Sequence, residues 1–170
     1  MEFEGKVCCF FGHRKIEGEE LKGKLTEVIE NLILYEGVKT FMFGSKSQFN
    51  DLCRKVLKEE KETFTFLKRV YVRDDGPYSD ETYARTPWRD WEETYFPERA
   101  INAGRATYTQ RNYDMIDKSD FCVVYYKEDY LPPRRKMAKR DVCDYQPKSG
   151  TAVAYEYAKR KSKKIINLAE

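Results

Sequence analysis

Cys8-Cys9-Phe10-Phe11-Gly12-His13-Arg14 decides the fold. Lys6 to Phe11 is almost wholly apolar, as a strand buried on both faces of a parallel sheet must be. Gly12 then frees the backbone to turn or to approach a ligand closely. His13 and Arg14 follow at the carboxyl end of that strand, where open α/β sheets place their ligands. His13 is also the only histidine of the chain. A sole imidazole beside a guanidinium, just past a first strand, points to a site for something anionic, although an apolar strand and a Gly turn also open α/β domains that hold no ligand there.

Outward from this stretch the chain alternates. Glu19 to Tyr35 carries Leu21, Leu25, Val28, Ile29, Leu32 and Ile33 at helical spacing, with Gly37 as its stop. Val38 to Phe43 reads as a second strand and Phe49 to Glu60 as a helix capped by Ser47 or Asn50. Phe66 to Val72 reads as a third strand, Thr107 to Lys118 as a helix and Asp120 to Tyr126 as a fourth strand. Ala152 to Arg160 is a last helix and Lys163 to Leu168 the closing strand. Alternating strands and helices imply right-handed βαβ units. The expected fold is therefore α/β, a Rossmann-like three-layer α/β/α sandwich with a mainly parallel sheet of about five strands in the order 3-2-1-4-5. Residues 1–170 read as one domain, interrupted by two irregular inserts.

The first insert, 74–97, holds Pro77, Pro87 and Pro97, both tryptophans and several tyrosines. Its aromatics argue against disorder, and so long a loop in a compact domain tends to be functional. Trp88, Trp91 and Tyr95 are candidates to stack a base. The insert is open to two uses, a lid over a ligand or a homodimer interface. The second insert, 127–148, carries Arg134, Arg135, Lys136, Lys139 and Arg140 near Tyr130 and Tyr145.

Composition sets bounds. A net charge of +3 on 170 residues gives no global basic field for nucleic acid, although 36% of the residues are charged. The five cysteines show no CxxC and no Cys/His ligand spacing, which argues against a zinc site. Cys8, Cys9 and Cys122 fall in expected strands and read as buried thiols. No cofactor is implied. Their odd number, with no signal peptide and no apolar run long enough for a membrane span, leads us to expect a cytoplasmic protein with no membrane partner.

Two more turns and one helix pair join the first. Gly44-Ser45 with Asn50 and Asp51 lies before the second helix, and Ser149-Gly150-Thr151 before the last. Arg111-Asn112 lies in the third. Each has a plain reading: caps for the two turns, a solvated helix face for the pair. Together they line one edge of a parallel sheet, with helix N-termini aimed at a crevice where the strand order reverses, between the first and fourth strands. That is a site for a nucleotide or a nucleotide-derived small molecule.

These segments resemble the SLOG superfamily of Rossmann-like domains, named for the Smf/DprA proteins and the LOG phosphoribohydrolases. The nearest likeness is to its small bacterial and phage branch of YspA- and YoqJ-like proteins. Cys9 to Arg14 resembles an "FTGHR" motif, with Phe11 in place of Thr. Gly44-Ser45 and Phe49-Asn50-Asp51 resemble "GGA-x-GFD". Arg111 to Asp120 matches "R-N-x-x-M-x-D-x-S-D". Ser149-Gly150-Thr151 with Ala154, Tyr157-Ala158 and Ile165-Ile166 resembles "SGGT-x-x-A-x-x-YA-x-K-x-x-K-x-I", less one Gly.

The resemblance implies a nucleotide-binding or sensing module, with ligand held by Gly12, His13, Arg14, Gly44, Ser45, Asn50, Asp51, Arg111, Asn112, Ser149, Gly150 and Thr151. Two alternatives stand beside it. A LOG-like hydrolase would cleave an N-glycosidic bond with a carboxylate. The LOG position after Thr151 is Ala154, so Glu156, Glu92 and Glu93 are the remaining candidates and no catalytic residue is assigned. Single-strand nucleic-acid binding, as in DprA-like relatives, would use the basic run of the second insert.

Overall fold

In the computed structural model, the described residues are 2–44, 47–76, 90–131, 135–136, 144–145 and 149–170. They form a six-stranded, all-parallel sheet. The main elements are β1 (Lys6–Gly12), α1 (Leu21–Glu36), β2 (Val38–Phe43), α2 (Gln48–Thr63), β3 (Lys68–Val72) and β4 (Glu93–Tyr95). After two short 3₁₀ turns come α3 (Thr107–Asp117), β5 (Phe121–Tyr125), the strand pair β6 (Arg135–Lys136) and β7 (Asp144–Tyr145), then α4 (Gly150–Arg160) and β8 (Lys164–Asn167).

The sheet order is β4-β3-β2-β1-β5-β8. Without β4 this is the expected 3-2-1-4-5 arrangement. The sixth strand corrects the reading of 74–97 as wholly irregular. Glu93–Tyr95 pairs with Val70–Val72 in parallel register. Three residues between charged and proline-bearing flanks are too short for period-2 alternation to register, and only pairing to β3 makes them a strand. The second insert likewise holds an antiparallel pair, Arg135 opposite Tyr145.

β1 is central because it is paired on both sides, to β2 and to β5, and its interior residues are all buried. Successive side chains leave it on opposite faces. Cys8 and Phe10 join the layer beneath α1 and α2, with Leu25, Ile29, Phe41, Phe43 and Leu57. Val7, Cys9 and Phe11 join the other, with Met115 and Ile116 of α3 and Ala154 and Ala158 of α4. Cys8, Cys9, Cys53 and Cys122 are buried free thiols. Gly37 ends α1 in the left-handed conformation (φ 75°), its N–H donated to the Leu32 carbonyl, as an αL cap requires.

With α1 and α2 on one face and α3 and α4 on the other, the chain reverses direction across the sheet between β1 and β5. The carboxyl ends of these strands, and the N-termini of α2, α3 and α4, share one edge. No described helix is long and apolar enough to cross a membrane.

Candidate functional site at the carboxyl edge

The edge divides into two halves. On the β2–β3 side stands Arg111, placed by the first turns of α3 and only 4% exposed. It is not on a solvated face. Its Nη1 meets Asp74 Oδ2 at 2.8 Å, and Asp74 is itself fully buried. Its Nε donates to Asn112 Oδ1 at 3.1 Å. Burial pushes the guanidinium below its ordinary pKa while Asp74 pulls it back up. Asp74 Oδ1 accepts the Gly76 N–H at 2.8 Å, and Asp75 N–H donates to Thr107 Oγ1 at the start of α3.

This cluster accounts for Gly44. A Cβ there would lie 2.4 Å from Arg111 Nη1. The glycine admits a side chain of the protein itself. Asn50 is equally occupied: its Oδ1 accepts the Gly44 N–H, and its own N–H and Nδ2 both donate to Ser47 Oγ. Ser47 is the cap of α2. Asp51 is exposed in the first turn, its carboxyl pushed up by its partly desolvated surroundings. Ser45 lies outside the described residues.

The β1–β5–β8 side is less complete. A Cβ at Gly12 would lie 2.5 Å from the Phe49 ring, which packs over the strand end. His13 is 2% exposed. Its Nε2 accepts the Lys127 N–H at 2.9 Å, and its ring stacks on Tyr130 at 4.0 Å. Burial pushes the imidazole below its usual pKa. Its Nδ1 is buried and has no hydrogen-bond partner among the described residues. Arg14 is exposed, while its carbonyl takes the Gln48 N–H at 2.9 Å and so ties β1 to the start of α2.

Beyond β5, a cavity of about 650 Å³ opens between the ends of β5 and β8 and the second half of α4. Tyr126, Lys127, Asp129, Tyr155, Lys159 and Asn167 line it. Tyr126 and Tyr155 stack at 4.5 Å. Asn167 holds the floor, with Oδ1 accepting Tyr126 N–H and Nδ2 donating to Tyr126 O. Lys127 belongs both to this cavity and to the His13 contact. At the start of α4, Ser149 Oγ accepts the Ala152 N–H as a cap, Thr151 is buried, and Gly150 has nothing within 4 Å of a would-be Cβ.

The candidate carboxylates separate. Glu92 and Glu93 stand at the start of β4, the opposite edge of the sheet from the cavity. Glu92 grips Arg69 through both oxygens and also meets Lys61. Burial raises its pKa, but the Arg69 and Lys61 hydrogen bonds prevail and hold it low. Glu93 pairs with Lys68 at 2.8 Å. Both are structural ion-pair partners, remote from any reacting group at the carboxyl edge. Glu156 does reach the cavity. Of the aromatics offered for base stacking, Trp91 is core, stacked on Tyr71 at 4.9 Å. Tyr95 is tied to Asp114 at 2.7 Å. Trp88 lies outside the described residues.

Sequence reasoning missed Asp74 and Lys127, and took Tyr130 only as an aromatic beside the basic run of the second insert. The rule that picks out His13 applies to Asp74 and Lys127 too, since Asp74 follows β3 and Lys127 follows β5, but both begin inserts that carry no regular pattern. No group of three or more metal-ligating side chains occurs among the described residues. No family model and no curated protein matches the chain.

Proposed function

We propose that the protein binds a nucleotide-derived anion at the β1–β5–β8 edge, as a SLOG-like binding or sensing module. One observation carries the reading: the 650 Å³ cavity lies between the ends of β5 and β8, one strand beyond the sheet's reversal point, and is joined to His13 through Lys127. Its volume is that of a small-molecule site, and ligands of open α/β sheets gather at such crevices. The lining suits the parts of a nucleotide unequally. Carboxylates Glu128, Asp129, Glu156 and Glu170 outnumber Lys127 and Lys159, so the cavity takes the uncharged nucleoside half, with tyrosine faces for the base and carboxylates for ribose hydroxyls. The phosphates face Arg14 and the N-terminus of α4, where the helix dipole favours negative charge.

Of the candidate carboxylates for glycosidic hydrolysis, Glu92 and Glu93 are committed to ion pairs on the far edge, which leaves Glu156 at the cavity, and the fate of the ligand separates binding from hydrolysis. The test is a thermal-shift panel of AMP, ADP, ADP-ribose and adenosine, with chromatography of each ligand afterwards. A ligand at a hundredfold excess over Kd adds about 2.7 kcal/mol, a rise of roughly 5–11 °C for a domain of this size. The expected result is such a rise with the ligand intact. No shift and no consumption across the panel overturns the reading, and consumed ligand replaces it with an enzyme.

A further inference from the structure

His13 is fixed in one tautomer by its contacts. A backbone N–H cannot be donated to a ring nitrogen that already carries hydrogen, so Nε2, which receives the Lys127 N–H at 2.9 Å, is bare. The neutral ring therefore holds its proton on Nδ1. The same bond fixes the ring's orientation, because a flip would turn a carbon toward Lys127. What remains is a buried Nδ1–H with no acceptor among the described residues.

A donor left in that state is costly, and the cost falls when an acceptor arrives. The cover over the face of the ring is light. Tyr130 lies on the ring with planes 27° apart, and it belongs to a turn closed by its own N–H to Lys127 O at 3.1 Å. Lys127 Nζ and Glu17 add a 3.4 Å pair that is largely exposed and therefore weak.

We propose that ligand binding lifts Tyr130 from His13 and that Nδ1–H then donates to an acceptor atom of the ligand, a phosphate oxygen or a polar atom of the nucleoside. This rests on the nucleotide reading above and deepens it. His13 acts as a neutral donor, and the cationic work at this end of the site falls to Arg14. The groups facing the imidazole are Lys127 and Asp129 of the turn, Tyr125 and Tyr126 at the end of β5, and Tyr130; burial and the Lys127 charge oppose its protonation, Asp129 favours it, and burial prevails.

Because His13 is the only histidine, ¹⁵N-histidine labelling gives one imidazole to watch. In the free protein at pH 7.5 the spectrum should show Nδ1 protonated and Nε2 bare. The opposite tautomer, or a charged ring, overturns the inference without touching the nucleotide reading. Adding ADP-ribose should move the Nδ1 resonance and strengthen its hydrogen bond. Pyrophosphate and adenosine, added separately, then tell a phosphate acceptor from a nucleoside one. ADP-ribose keeps a fixed charge between pH 6 and 8, so its affinity should be flat over that range, whereas a tenfold gain on acidification would make His13 a cation and contradict the proposal. Tyr130→Ala should speed solvent exchange of Nδ1–H and retain binding; loss of binding with the tautomer intact would make Tyr130 a ligand contact and not a cover. If ADP-ribose, pyrophosphate and adenosine all leave the imidazole unmoved, the ligand role is refuted and His13 serves only to dock the turn.

Discussion

The two halves of the carboxyl edge use the same residue types to opposite ends. On the β2–β3 side, glycine, arginine, asparagine and aspartate satisfy one another: Arg111 rests on Gly44 and pairs with Asp74, and Asn50 bridges Gly44 to Ser47. On the β1–β5–β8 side, Arg14 is exposed, His13 keeps a buried nitrogen unmet, and a cavity stands open beside it. Glycines and basic residues at strand ends mark where something packs closely. Whether that something is the protein or a ligand depends on whether a later strand or helix delivers the counter-group, as β3 delivers Asp74 to Arg111.

The largest expected effect breaks the closed half. Asp74→Ala leaves Arg111 buried and unpaired, which costs about 3–5 kcal/mol. Urea unfolding should show a loss of that order, and a loss under 1 kcal/mol would mean that this half is not closed. Next comes the contrast between two glycines. Gly12→Ala drives a methyl into the Phe49 ring and should cost about 1–3 kcal/mol. Gly150→Ala meets nothing within 4 Å and should stay within about 0.5 kcal/mol of the wild type. Equal costs would erase the packing distinction.

Much of this division was invisible in the sequence, for a physical reason. The order of the five main strands followed from β1 as an apolar run and from strand–helix alternation, because burial on both faces and helical periodicity are written locally. β4 was not legible, since Glu93–Tyr95 gains its state from pairing with β3. His13 and Arg14 were legible from their place after β1. The closure of Arg111 was not, because its partner Asp74 is 37 positions away and sits in an insert. Gly12 read as a turn or a close approach to a ligand and Gly44 as part of a ligand turn; the groups that pack against them, Phe49 and Arg111, come from other elements.

Arg14→Ala sharpens the comparison from the open side. An exposed side chain should change stability by less than about 0.5 kcal/mol, while loss of a charged hydrogen bond to phosphate, worth about 1.5–3 kcal/mol, should weaken ADP-ribose binding roughly tenfold or more. Calorimetric titration with a parallel melt separates the two. A variant that binds normally removes Arg14 from the site.

A background pH effect must be kept apart from the open half, and it is the smallest of these in the neutral range. Glu60 is buried between α1 and α2 and shares its surroundings with Glu30; burial, then the charge and hydrogen bond of Glu30, push its carboxyl up to about 7. The folded state thus holds this proton more tightly than the unfolded chain. Stability is fully present below the ordinary carboxylate range and falls as pH rises through 7. Glu60→Gln should flatten the urea midpoint between pH 5 and 8, and an unchanged slope would place the titration elsewhere.

Chemical-shift mapping of the backbone amides with ADP-ribose tests the central claim most directly. The account predicts perturbations at 12–14, 126–130, 151–159 and 167, with 44, 74–76 and 108–112 unmoved. Shifts centred on the Arg111–Asp74 cluster, or none at millimolar ligand, would contradict it.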